Sequence, residues 1–158
     1  MTDKITIKGT APKFDDQVLK QRQAARHHQY HGTSESHGVA RGTIPFEFLA
    51  NVIELANQGY ELSNKYPITS TPMSYSAYMR KPDAIATADL EALNEEVKQQ
   101  YIADLERERE DFKLKLIAQR LQAAELKERK REEEKQAKLL KEIEKEVSEA
   151  FGSLVIPD

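Results

Sequence analysis

From Asp83 to Phe151 the chain runs sixty-nine residues without a glycine or a proline, written mostly in Glu, Lys, Arg, Ala, Leu and Gln. Glycine and proline are the residues that break helices, and the six types that dominate here are the best helix formers. The run therefore predicts one long helix, about 100 Å from end to end at ~1.5 Å per residue. A domain of this size needs no such length to close a core, so the helix is built to reach or to pair.

Its pattern divides it. Leu90, Leu93, Val97, Tyr101 and Leu105 recur at spacings of three and four, and the stripe continues through Phe112, Leu116, Ile117 and Leu121, widened by Leu114 and Leu126. Such a stripe buries one helix face. Residues 127–138, KERKREEEKQAK, then offer no apolar side chain larger than Ala137 and read as a polar spacer or hinge. Glu125–Arg129 and Glu134–Lys138 can pair along it at ~0.2–0.5 kcal/mol each. Beyond the spacer Leu140, Ile143, Val147, Phe151 and Leu154 restore a second stripe. A helix adhesive at both ends and polar between them, coiled-coil-like in composition, can bind two things.

The remaining residues form two segments. Residues 44–86 are expected to hold a helix–β-hairpin head. Thr43 can cap a helix over Pro45–Gln58 whose first turn holds Pro45, whose apolar face is Phe46, Leu49, Val52, Ile53 and Ala56, and whose stop is Gly59. Tyr60 and Leu62, then Met73, Tyr75, Ala77 and Met79, alternate with polar residues as strands do. Packed against the start of the long helix, this makes a small α+β fold with a thin core, of the size that oligomerisation commonly stabilises.

Residues 1–43 read as a basic, flexible arm. They carry seven Lys/Arg against four acids, four of the six glycines and few apolar residues, with a short helix over Asp15–Tyr30 and a linker-like stretch at HGTSESHGVARG. A segment so poor in apolar surface is expected to order only against a partner. Phe14, Val18, Leu19 and Tyr30 are its candidate anchors.

Hydrophobic residues at 39% fall below the usual ~45–50%, and charged residues at 32% exceed the usual ~25%. With no cysteine, thiolate metal sites and disulfides are excluded, and a cytoplasmic setting fits. No apolar run approaches a membrane span or a signal peptide, so no membrane partner is expected.

Three constellations bear on chemistry. His27, His31 and His37 have a spacing that can bring imidazoles to one metal, against which stands the simpler reading of solvated residues on a mobile arm. No metal or other cofactor is therefore assigned. Tyr60, Tyr66, Tyr75 and Tyr78 beside Arg80 and Lys81, together with Arg22, Arg26 and Arg41 of the arm, suggest a nucleic-acid surface. Core or interface packing explains the same rings more simply. No phosphate loop, nucleophile elbow or paired metal-binding motif is present, so neither an enzyme nor a small-molecule substrate is expected.

The order of apolar helix, Gly59-Tyr60, proline-bearing polar stretch, aromatic strand, Lys81-Pro82 and long charged helix resembles small accessory proteins encoded by tailed bacteriophages, over about residues 44–110. The resemblance implies a viral protein that acts without catalysis in virion assembly or on a host component, in the host cytoplasm or the virion. The reading as a whole is an oligomeric or host-interacting protein that binds a protein partner or its own copy through the arm and the long helix, with Leu140, Ile143, Val147 and Phe151 as contact residues. Nucleic-acid binding through the arm and hairpin is the alternative.

Overall fold

The computed structural model describes residues 3–158 as α+β, with three helices and a small antiparallel sheet. Helix α1 spans Asp16–Gly32, strand β1 His37–Gly42, helix α2 Pro45–Asn57, strands β2 Glu61–Leu62, β3 Thr69–Thr71 and β4 Ser74–Arg80, and helix α3 Asp83–Phe151. Two compact units arise from these: residues 13–106, the head, and the N-terminal segment with residues 107–158.

In the head, β4 is the central strand. β1 pairs along one side of it, from His37 opposite Arg80 to Gly42 opposite Tyr75. β2 and β3 share its other side, Leu62 opposite Met79 and Thr71 opposite Ser74. The Thr71–Ser74 turn uses Pro72 and a left-handed Met73 at φ 63°, the arrangement of a type II turn. Ala40, Ala77 and Met79 project from one face onto Phe48 of α2, with Val52, Leu55, Tyr60 and Tyr75 around them. Gly59 at φ 95° closes α2, and the Tyr60 N–H returns to the Leu55 carbonyl at 3.1 Å, a Schellman-type stop. At the other end of α2 the expected Thr43 cap is absent. Thr43 instead donates from N–H and Oγ1 to Glu47 Oε2, and Ile44 stands at the cap position.

A second core joins α1 to α3. Leu19, Val97 and Tyr101 are buried together with Val18 and Leu105 beside them, and Asp15 caps α1 by accepting from the Gln17 N–H. The α3 stripe at Val97–Leu105, expected to cross the hairpin, is thus covered by α1.

Residues 13–43 are accordingly part of the head, not a flexible arm. The boundary at Thr43 is wrong for a physical reason: two of the three glycines expected to loosen a linker, Gly38 and Gly42, are required by close packing. A Cβ on Gly38 would stand 2.7 Å from the Tyr60 ring, and one on Gly42 would collide with the Phe48 backbone. Leu19 and Tyr30, expected as anchors for a partner, are anchors within the chain, with Tyr30 only 2% exposed.

In the second unit, residues 3–12 lie along α3. Gln122 accepts from the Ile5 N–H at 2.9 Å and donates to the Asp3 carbonyl at 3.0 Å, while Arg109 donates to the Pro12 carbonyl at 2.7 Å. Phe112 and Leu116 are half-buried there; Leu114, Ile117 and Leu121 remain exposed. Helix α3 continues unbroken through residues 127–138, where the ion pairs are Arg129–Glu133 at 3.6 Å and Arg131–Glu128 at 3.7 Å, not those the spacing suggested.

The glycine packing gives a direct test. Gly42→Ala should destabilise the head by about 1–3 kcal/mol, because strand or helix must shift to admit a methyl group. Gly32→Ala, where no atom lies within 4 Å, should leave stability nearly unchanged. Urea unfolding of both variants measures the difference.

Candidate functional site

Helix α2 is apolar on two faces. Phe48, Val52 and Leu55 turn to the sheet, whereas Phe46, Leu49 and Ile53 form a second stripe pointing away from it. Ile44 precedes this stripe in the chain. Their exposures are 56% for Ile44, 81% for Phe46, 56% for Leu49 and 61% for Ile53. Three and four residues separate the outer side chains, so they stack along one line of the helix surface. Glu47 and Glu54, each one residue on, edge the line with negative charge, and α2 carries no basic residue. The spacing reads Phe46, Leu49, Val52, Ile53 and Ala56 as one apolar face; of these Val52 packs against the sheet core, whereas Phe46, Leu49 and Ile53 point away from it. The spacing missed that Phe48 and Leu55 supply a competing stripe, and the sheet takes that one because Gly42 lets α2 approach at Phe48.

The second face of the sheet has a different character. Alternation places His37, Val39 and Arg41 of β1 beside Arg80, Tyr78 and Ser76 of β4. Tyr66 folds over this face, with its centroid 4.8 Å from that of Tyr78 and 5.3 Å from that of His37, and Lys65 Nζ stands 5.6 Å from the Tyr66 ring. Arg41, Tyr78 and Arg80, all expected at a nucleic-acid surface, are therefore brought together. Arg22 and Arg26 are not. Arg22 pairs with Asp104 at 2.9 Å and lies over Tyr101, and Arg26 pairs with Glu35 at 2.7 Å, so both serve the head's internal contacts. Arg80 is itself paired with Glu61 at 2.8 Å.

The histidines do not converge. His27 Nε2 is 2.6 Å from Asn94 Oδ1, the His31 ring packs edge-on to Tyr30, and His37 lies between the Ser36 and Ser63 hydroxyls at 3.0 and 3.1 Å. Among the described residues no group of three His, Cys, Asp or Glu side chains could hold a metal ion.

A cleft of about 490 Å³ is lined by Tyr30, Glu35, His37, Lys81 and Asp89. Its charges are already satisfied. Asp89 Oδ2 accepts from Tyr30 at 2.8 Å and from Lys81 at 2.7 Å, and Glu35 holds Arg26. The Lys81 bond, then the Tyr30 bond, keep the Asp89 carboxyl below the usual range. Burial first, and then Asp89, push the Tyr30 phenol up.

Of the remaining expected contact residues, Phe14 is half-exposed with its ring 5.3 Å from Tyr101. Leu140, Ile143 and Val147 are each about half exposed, and Phe151 is 87% exposed. No helix among the described residues is long and apolar enough to cross a membrane. No known protein family, characterised protein or solved structure matches the chain.

His37 gives this region a pH signature. Burial, and then the charges of Lys65, Arg80 and Lys81, lower the affinity of its imidazole for a proton. The unfolded chain protonates His37 near pH 6.5 while the folded chain resists, so the unfolded state binds more protons below that value. The stability due to neutral His37 is present above about pH 6.5 and is lost as pH falls toward the lowered folded value. The urea midpoint should therefore drop between roughly pH 7 and 5, and His37→Gln should flatten that drop.

Proposed function

We propose that this chain is a non-enzymatic assembly protein that associates through the outer face of α2 and the exposed distal stripe of α3. One observation carries the reading: a thirteen-residue helix already seated on a sheet keeps a second, continuous apolar stripe in solvent. An isolated exposed Leu or Ile needs no explanation, whereas aligned large apolar side chains mark an interaction surface. The setting implied by the resemblance to tailed-phage accessory proteins is virion assembly or binding of a host protein.

Phe46→Asp with Ile53→Asp tests this. Both side chains point away from the core, so the head should stay folded by circular dichroism. Association should fall by at least tenfold, because each aspartate puts a charge where an apolar contact would be buried. Light scattering after size-exclusion chromatography reads the outcome; unchanged assembly would remove α2 from the interface.

The sheet face supports a second reading, single-stranded nucleic acid held on Tyr66 and Tyr78 with Arg41 and Lys65 at its edge. Stacking with phosphate contacts predicts binding that weakens as salt rises. Arg41→Ala with Lys65→Ala should then weaken a fluorescent oligonucleotide's binding by roughly tenfold at low salt. Binding that is absent, or insensitive to both salt and these substitutions, would leave the rings as packing for the loop that carries Tyr66.

A further inference from the structure

His37 ties a surface loop to the sheet through both nitrogens of its ring. The loop, residues 63–68, joins β2 to β3 and carries Lys65 and Tyr66. Strand-like bonding ends at its start, where the Ser63 N–H donates to the Tyr78 carbonyl at 3.2 Å. His37 Nε2 stands 3.1 Å from Ser63 Oγ in the loop, and Nδ1 stands 3.0 Å from Ser36 Oγ, just before β1.

The partners of the two hydroxyls fix where the ring hydrogen sits. Ser36 Oγ donates its one proton to the Thr33 carbonyl at 3.2 Å, so it can only accept from His37, and Nδ1 carries the hydrogen. Ser63 Oγ receives the Lys65 N–H at 3.3 Å and keeps its own proton for Nε2. A neutral imidazole thus completes a chain of bonds from the Lys65 N–H, through Ser63, His37 and Ser36, to the Thr33 carbonyl. Tyr66 lies edge-on to the same ring at 5.3 Å and against Tyr78 at 4.8 Å.

A protonated ring does not fit this chain. With hydrogens on both nitrogens it can accept nothing, so the Ser63 hydroxyl must turn round. The charge is disfavoured as well, first by partial burial and then by Lys65 on the loop, Arg80 on β4 and Lys81 beyond it. The nearby anions are already engaged: Glu61 with Arg80, Glu35 with Arg26, and Asp89 with Lys81 and Tyr30. The other titratable neighbours, Tyr30, Tyr66, Tyr78 and His31, bring no negative charge in acid. His31 holds the loop only by its carbonyl, which accepts from Lys65 Nζ at 3.2 Å.

We infer that residues 63–68 form a flap over the sheet face, latched by neutral His37 and released in mild acid when that ring takes a proton. Release lifts Tyr66 from Tyr78 and opens the face to solvent. The flap depends only on contacts within the head, so it stands whether or not either functional reading above holds. The closed flap binds fewer protons than the open one. It is therefore stable above about pH 6.5 and is lost as pH falls toward the lowered value of the closed state.

Proton NMR of the full chain reads the flap directly. Through-space contacts from the Tyr66 ring to His37 and Tyr78 should be present at about pH 7.5 and weaken roughly threefold or more by about pH 5, while the helical circular dichroism stays constant. His37→Gln can donate to Ser36 and accept from Ser63 without taking a charge, so its Tyr66–Tyr78 contact should persist in acid. Lys65→Gln, which removes the loop's own cation, should make the wild-type loss less steep in pH. Contacts that survive while the His37 ring titrates would show that the flap tolerates the charge, and would overturn the inference. Loss in His37→Gln at the same pH would place the sensor elsewhere, and loss together with the helical signal would be unfolding of the whole head; either also overturns it.

Discussion

Asp89 stands where the two cores of the head meet. One carboxylate oxygen accepts from Tyr30 at the end of α1 and from Lys81 just after β4, while Asp89 itself belongs to the second turn of α3. The sheet and α2 form one apolar cluster and α1 with α3 another. Neither is large. Charge-assisted bonds are the stronger class of hydrogen bond, and here two of them converge on a part-buried acceptor. The carboxylate thus holds the end of β4 against α1 and α3 without an apolar layer spanning all three.

Thin cores explain why α2 is written as it is. Tyr30 and Met79 are the large side chains buried essentially completely, and the remaining core positions include Ala40 and Ala77. Alanines and glycines in the strands allow the α2 backbone to approach, so the contact is close but contributes little area. Burial stabilises in proportion to apolar area removed from water, at roughly 25 cal/mol per Å². A second apolar stripe on the same helix is the natural place to gain the missing area from another molecule, since the helix is already held rigid by the first.

Which parts of this were legible in the sequence follows from what each signal measures. The α3 limits, Asp83 to Phe151, were readable because helix breakers bound a strong local propensity. The α2 limits and the alternation in β4 were readable for the same kind of reason, Pro45 and Gly59 at the ends and period two within. The place of residues 13–43 was not. His37–Gly42 is held as a strand by pairing with Arg80–Tyr75, more than thirty residues away, and its glycines look identical to linker glycines until Tyr60 and Phe48 are seen against them. The weakly amphipathic α1 showed Val18, Leu19 and Tyr30 as anchors, but not that they would meet α3 of the same chain rather than another molecule. At the candidate site the residues were visible but their direction was not. Six large apolar side chains in thirteen positions leave two stripes open, and the sequence contains nothing that says which one the sheet will take.

The two stripes of α3 cannot serve one straight partner. Leu140 stands 26 residues after Leu114, and Ile143 and Val147 keep the same offset from Ile117 and Leu121. A heptad seam would need a multiple of seven; at about 100° per residue the offset rotates the distal stripe by roughly 80° around the helix axis. Between the stripes, residues 127–138 give a partner only charge to meet. A partner helix running the full length would therefore bury one stripe and leave the other at its edge. The composition suggests a coiled coil, but the phase argues for two separate, short contacts.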